Sequence, residues 1–282
     1  MIFVTGDTHG NFNRIKSFCR ENETTKDDVL VILGDVGINF YPPSNHGTKK
    51  MKKQLSDLPI TLFCIHGNHE CRPEHIITYN ITERFGGLVY VEDDYPNLVF
   101  AIDGQIYNIN DKKCLVIGGA YSVDKYLNGY DWYKRVTDFD MAVFEDLGKV
   151  VNSKKISKKR IKELDAILNK ANPYDIGWWK DEQPSTRVKN NILKTIEKQN
   201  EFDYVFTHTC PARALPYDAF LPWVNQDSVD RTTEGFLDVV YDKIKCKKWF
   251  CGHYHIDRTY DNIVFMFNDI RMLDEAYSIF DF

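Results

Sequence analysis

Ile2-Phe3-Val4-Thr5-Gly6-Asp7-Thr8-His9-Gly10 sets the pattern of this chain: a short apolar run that ends in a glycine and then in side chains able to bind a cation. The pattern recurs four times. Val29-Leu30-Val31-Ile32-Leu33 runs into Gly34-Asp35, and Ile60-Thr61-Leu62-Phe63-Cys64-Ile65 leads to Gly67-Asn68-His69-Glu70. Tyr204-Val205-Phe206-Thr207 leads to His208, and Trp249-Phe250-Cys251 leads to Gly252-His253-Tyr254-His255. Buried strands read as near-continuous β-branched and aromatic runs. Open α/β sheets bind ligands beyond the carboxyl ends of such strands. The five runs therefore predict strands that bring seven potential ligands to one rim, and five of the eight histidines fall among the motifs.

Composition is compatible with this reading without producing it. The chain has 282 residues, 43% apolar and 27% charged, with a net charge of −5. That balance argues against a dedicated nucleic-acid binder, which meets phosphates with excess Lys and Arg. The seven cysteines (19, 64, 71, 114, 210, 246 and 251) form no CxxC pair and fall partly in apolar runs. They read as buried free thiols in a reducing compartment. Residues 1–10 show no leader pattern. No apolar run approaches the roughly 18 residues that would span a bilayer. A cytoplasmic protein with no membrane partner is expected.

Along residues 1–120, strand and helix signals alternate, which implies a parallel sheet with right-handed crossovers. Phe12, Ile15 and Cys19 have helical spacing over Asn11–Arg20, with Asn11 as the expected N-cap. Tyr41-Pro42-Pro43 opens a loop, followed by a mixed Lys-rich segment around 49–53. From Leu88 to Gly119, closely spaced strand-like runs separated by Asp-Gly and Asn-Asp turns suggest antiparallel hairpins feeding a second sheet. Residues 121–200 are polar, Lys-rich and helical in pattern. Ser157 caps one expected helix (Ile161, Leu164, Leu168), and Pro184-Ser185 precedes another (Val188, Ile192, Ile196). The run Lys154-Lys155 with Lys158-Lys159-Arg160 reads as a solvated face, or as a collar for an anionic substrate. Ile256 to Leu273 reads as a hairpin turning at Asp261-Asn262 and Asn268-Asp269. One domain over 1–282, with a helical insert at about 126–182, is expected.

Asp-x-His, Gly-Asp, Gly-Asn-His-Glu, Thr-His and Gly-His-x-His, in that order, resemble the signature of the calcineurin-like metallophosphoesterase superfamily. The resemblance covers roughly residues 1–120 and 200–270. Gly118 to Lys125 and Trp178 to Ser185 are similar to small bacterial or phage members. The resemblance implies an α/β fold, a four-layer α/β/β/α sandwich of two mixed sheets, with two divalent metals at the strand ends. It implies that Asp7, His9 and His255 bind one metal, that Asn68, His208 and His253 bind the other, and that Asp35 bridges them. His69 would face the leaving group. Two cations about 3.5–4 Å apart need a shared anionic ligand, and a hydroxide between them becomes the nucleophile. Carboxylate, imidazole and amide oxygen suit Mn first, with Fe or Zn as alternatives to it, over Ca or Mg.

The second block departs from the Ser/Thr phosphatase branch, where it continues Gly-Asp-x-x-Asp-Arg-Gly. The Asp that would orient the histidine falls on Ile38, and the phosphate-gripping Arg falls on Asn39. Protein phosphatase activity is therefore not expected, and His69 is expected to be held by another acid or to hydrogen-bond phosphate. Asn39, Arg72, Tyr121 and Lys125 are the candidate substrate residues. Glu70 reads either as support for the ligands or as a solvated or salt-bridged carboxylate, and His66 as a packed strand-end residue. His46 and His75 read as surface residues, and Trp178, Trp179 and Trp223 as packing anchors or base-stacking groups. The expected activity is metal-dependent hydrolysis of a phosphate monoester or diester, on a small phosphorylated or nucleotide substrate. The alternatives are a nuclease of the same superfamily and a catalytically silent binding scaffold.

Overall fold

A computed structural model describes residues 1–152 and 154–273; residue 153 and residues 274–282, where the expected domain ends, lie outside the described residues. The first segment alternates as its sequence pattern predicts: β1 (Ile2–Thr5), α1 (Asn13–Glu21), β2 (Val29–Ile32), α2 (His46–Ser56) and β3 (Thr61–Cys64), with the three strands pairing in parallel. Next come β4 (Asn80–Arg84), β5 (Gly87–Val91) and β6 (Leu98–Ala101); β6 pairs in parallel with β3, while β5 runs antiparallel to β6 and β4. The hairpin of β7 (Ile106–Ile109) and β8 (Lys112–Ile117) opens a second sheet. Its turn residues Asn110 and Asp111 both have positive φ, 46° and 61°. A tight hairpin turn of this hand demands that conformation, and Asn and Asp tolerate it.

Five helices follow: α3 (Lys125–Tyr133), α4 (Met141–Val151), α5 (Lys158–Leu168), α6 (Pro173–Ile176) and α7 (Thr186–Lys198). Ser157 and Ser185 cap α5 and α7 by accepting the N–H of Arg160 and Val188. The chain ends in β9 (Glu201–Thr207), α8 (Thr232–Lys243), β10 (Lys245–Cys251), β11 (Arg258–Tyr260), β12 (Ile263–Phe265) and β13 (Ile270–Met272). Among the described residues, the first sheet has the order β13-β1-β2-β3-β6-β5-β4 and the second β11-β12-β10-β9-β8-β7.

The two mixed sheets face each other across a core that includes Val4, Val31, Phe63 and Val99 from one and Val116, Phe206, Phe250 and Val264 from the other. Ile15 and Cys19 of α1 and Leu55 of α2 cover the outer face of the first sheet. Ile192 and Ile196 of α7, with Leu237 and Val240 of α8, cover that of the second. Four layers result, in the order α/β/β/α. Helices α3 to α6 share a separate apolar cluster with Leu147, Leu164, Leu168 and Trp178. No described helix is long and apolar enough to cross a membrane. Among the described residues all seven cysteines are free.

Three local readings need correction, and one strand, β4, carries no sequence signal. Asn11 does not cap α1, which starts two residues later: its amide oxygen accepts the Asn13 N–H at 3.2 Å, closing a side-chain turn ahead of the helix. The strand β4 has no apolar alternation because all five of its residues are exposed at a sheet edge. Only the Asp261-Asn262 half of the expected terminal hairpin forms. After Asn268-Asp269 the chain crosses to the first sheet, where β13 pairs antiparallel with β1. The Asp257 carboxylate holds that crossing by accepting the N–H of Phe267 at 2.8 Å and of Asn268 at 3.1 Å. Finally, the Lys-rich segment is part of α2, and one of its lysines, Lys52, is buried against Glu92.

Removing one partner of a buried ion pair strands the other charge and costs about 3–5 kcal/mol. Glu92→Ala should therefore lower unfolding free energy by about that amount, whereas Lys52→Met combined with Glu92→Leu should recover most of it. Chemical denaturation of the three proteins checks this.

Candidate metal centre

The carboxyl ends of β1, β2, β3, β9 and β10 carry the five motifs, and each strand stops at a sharp turn. Among the described residues nine non-glycines have positive φ, and four of them are His9 (45°), Asp35 (43°), His253 (68°) and His255 (53°). Such conformations cost of order 1–3 kcal/mol each and persist only where the surroundings over-determine them. Here the surroundings do. The His9 N–H donates to the Asp35 carbonyl at 2.8 Å, and the Asp35 Oδ1 accepts the N–H groups of Asn68 at 2.7 Å and His69 at 2.8 Å. A Cβ on Gly67 would lie 2.0 Å from that Oδ1, and one on Gly34 would lie 2.1 Å from the His208 ring. Only glycine lets these backbones approach.

Two groups of donor atoms result. Asp7, His9 and His255 form the first, and Asp35, His208 and His253 the second, with the atoms of each group within 4.8 Å of one another. In the first, the Nε2 atoms of His9 and His255 are 3.0 Å apart. They lie 3.8 and 3.2 Å from Asp7 Oδ2, a buried oxygen that makes no hydrogen bond. In the second, His208 Nδ1 donates to the Leu33 carbonyl at 2.7 Å. A neutral ring so placed turns the lone pair of Nε2 toward Asn68 Oδ1 at 2.8 Å and Asp35 Oδ2 at 3.4 Å. Three electron-rich atoms thus converge. Without a cation the protein must put a proton there. Burial disfavours a charged ring, yet Asp35 and Asp7 outweigh it and raise His208 to about 9. Burial, reinforced by His208, holds His253 neutral down to about 3. Oxygen and imidazole donors of this kind fit divalent transition metals.

His69 stands beside both groups, its ring 5.7 Å from that of His9. Ile38, at the expected acid position, is fully buried. The acid facing His69 comes instead from the start of α3: Asp124 Oδ2 lies 3.8 Å from His69 Nε2. Asp124 makes no side-chain cap bond to its own helix, so its carboxylate is free to face His69. Glu70 is neither solvated nor salt-bridged. It is completely buried and accepts the N–H of Val36 at 3.0 Å and of Asn39 at 3.3 Å, bracing the turn after β2. Burial and the neighbouring Asp35 raise it to about 8.

Of the four candidate substrate residues, Tyr121 lines the cleft and the other three do not. Asn39 is buried and accepts the Tyr79 hydroxyl. Arg72 pairs with Asp103 at 2.8 Å and donates to the Asp181 carbonyl. Lys125 pairs with Asp165 at 2.7 Å and lies over the Trp178 ring. His66 is buried, His46 is exposed, and His75 is bound to Asp181 at 2.7 Å. Trp178 and Trp179 are packing anchors, while Trp223 is 75% exposed.

Two cavities open at the centre. One, of about 520 Å³, runs from Asp35, Asn68 and His69 to a wall of Phe220, Leu221, Val224, Val229 and Ile256. The other, of about 710 Å³, runs from His9 past Phe40, Tyr41 and Met51. Neither Asp124 nor this wall was picked out as a site in the sequence. Asp124 lay within the Gly118–Lys125 segment, but loop hydrophobics at 220–231 carry no motif.

The sequence profile of the calcineurin-like phosphoesterase family matches residues 1–257, and the chain belongs to that family. No curated protein matches the chain. The family hydrolyses phosphoesters with divalent metals, and this chain holds two donor clusters able to take them.

Glu182, at the far end of the insert, is buried, and burial raises it from an ordinary 4.5 to about 9 against the opposing Ser122 N–H and Lys125. The folded chain therefore holds a proton that the unfolded chain releases above its ordinary value. Through Glu182 alone, stability should fall as pH rises from about 5 to about 9 by at most about 1.4 kcal/mol per pH unit, beside falls of the same sign from Glu70 and His208. Glu182→Gln should flatten that decline, as read by denaturation of metal-stripped protein across this range.

Proposed function

We propose that the protein is a binuclear metal-dependent hydrolase of phosphate monoesters or diesters, acting on a small phosphorylated or nucleotide substrate. The observation that carries this reading is the convergence of His208 Nε2, Asn68 Oδ1 and Asp35 Oδ2 beside the other donor cluster of Asp7, His9 and His255. Asp7, His9 and His255 would hold one ion, and Asn68, His208 and His253 the other. Asp35, whose charge acts on Asp7 and His9 as well as on His208, would be shared. The ions, Mn first and Fe or Zn next, would supply a hydroxide nucleophile at neutral pH and neutralise charge on the phosphate oxygens.

The chain's own residues do the rest. Asp35 fixes the backbone of Asn68 and His69 through two N–H bonds, so a ligand and the histidine share one support. His69 gives a proton, or a hydrogen bond, to the departing oxygen. Asp124 orients its imidazole and stabilises the charged ring, replacing the acid absent at Ile38. The apolar wall excludes water from the organic group of the substrate. Seven free thiols support a cytoplasmic setting.

Turnover on metal-stripped protein tests the reading. Adding Mn²⁺ should restore hydrolysis of a chromogenic phosphoester; bound metal without turnover on any phosphoester would sink it. Asp35→Asn should lose paired metal and on the order of 10³-fold in kcat. His69→Ala should keep its metal and lose a comparable factor, which elemental analysis beside kinetics separates. Asp124→Asn should keep its metal too. Its loss should be about 10-fold larger on an alkyl ester than on a 4-nitrophenyl ester, since only the poor leaving group needs a well-placed proton donor.

A further inference from the structure

The two cavities share His69, Asp124 and His255, and these residues form a ridge between them at the metal centre. A phosphoryl group held beside that ridge has room for an organic substituent on each side. Both volumes fall in the range that accommodates an aryl- or nucleoside-sized group. A monoester would fill only one.

Charge points the same way. A phosphate monoester carries close to two negative charges at neutral pH and a diester carries one. Among the described residues neither lining contains a lysine, and the one arginine, Arg231, is spent. It donates to the Gln226 carbonyl at 3.0 Å and to Gln226 Oε1 at 2.7 Å, and lies over the Phe220 ring. Asn39, where a phosphate-gripping arginine would stand, faces Tyr79 inside the core. Outside the metal ligands and His69, nothing in the walls compensates the second charge of a monoester. Within these two linings a polynucleotide would likewise find no lysine or free arginine for its neighbouring phosphates.

From these observations we infer that the substrate is a small phosphodiester, one organic group in each cavity, the first against the apolar wall of Phe220 and Val224. This rests on the phosphoesterase reading above. In the reaction, the oxygen of water bonds to phosphorus as one P–O ester bond breaks. The water gives up one proton in becoming the nucleophile, His69 gives a proton to the departing oxygen to form an alcohol and regains it from solvent, and the second water proton is released as the monoester product ionises.

The test uses protein reconstituted with Mn²⁺. First, kcat/KM is compared for bis(4-nitrophenyl) phosphate and 4-nitrophenyl phosphate, which share a leaving group, after correction for their uncatalysed rates. The diester should lead by at least about 10-fold. Second, calorimetry measures binding of diphenylphosphinate, with two arms and one charge, and of phenylphosphonate, with one arm. Val224→Trp fills one cavity and Met51→Trp the other; melting curves report whether each variant folds. Each should weaken the two-armed ligand by about 10-fold, whereas the one-armed ligand should respond to at most one of them. Equal or faster monoester turnover, tighter phenylphosphonate binding by the unsubstituted protein, or preference for an oligonucleotide would overturn the inference while leaving a phosphoesterase. Failure to hydrolyse any phosphoester despite bound metal would instead remove the reading beneath it.

Discussion

The Asp35 carboxylate joins the parts of this site. One oxygen accepts two N–H groups from the loop after β3, and the other faces a histidine delivered by the opposite sheet. Asp35 and Asp7 are both almost fully buried, as is His208. Two carboxylates in so little water repel each other, and isolated buried charge costs several kcal/mol per ion. A proton on His208 offsets part of that cost; two divalent cations would offset more. The left-handed backbone at four neighbouring ligand positions belongs to the same arrangement, because aiming donors from separate strand ends at one point requires turns that ordinary residues avoid.

The strands were legible because burial on both faces of a strand leaves a local record, whereas the four layers followed from the family resemblance. Ile2–Val4, Val29–Ile32 and Leu62–Cys64 are apolar throughout, and each leads into a polar motif. What failed was set by distant contacts. The strand at Asn80–Arg84 is an exposed polar edge, and Ile270–Met272 pairs with the first strand of the chain instead of its neighbour. Nothing in the Lys-rich segment distinguishes Lys52 from its neighbours until Glu92 is placed against it.

The site divides in the same way. The donor residues were legible as residue types in order, and the fold gathers six of them into two clusters. Asn39, Arg72 and Lys125 were read by type as phosphate-facing, but each meets a nearer partner: Tyr79, Asp103 and Asp165. Nothing in local sequence announces those competitions. Asp124 was hidden for the opposite reason. It looks like a helix-starting aspartate, and only the folded chain shows that its helix does not use the carboxylate.

That placement separates two tasks between two parts of the molecule. The strand ends of the sandwich gather the cation ligands, so their geometry answers to the sheets. The acid facing His69 stands at the start of α3, in the group of four helices that share their own apolar cluster. Under the proposed mechanism, a change among those helices would alter how a leaving group is handled without moving a donor of either cluster. Charge compensation is likewise confined to the ligand clusters and His69, which leaves the cavity walls free to be apolar. A lining with no lysine and no free arginine would not reward extra negative charge on a substrate, so under the proposed activity selectivity would come from shape and from the area of organic surface that leaves water.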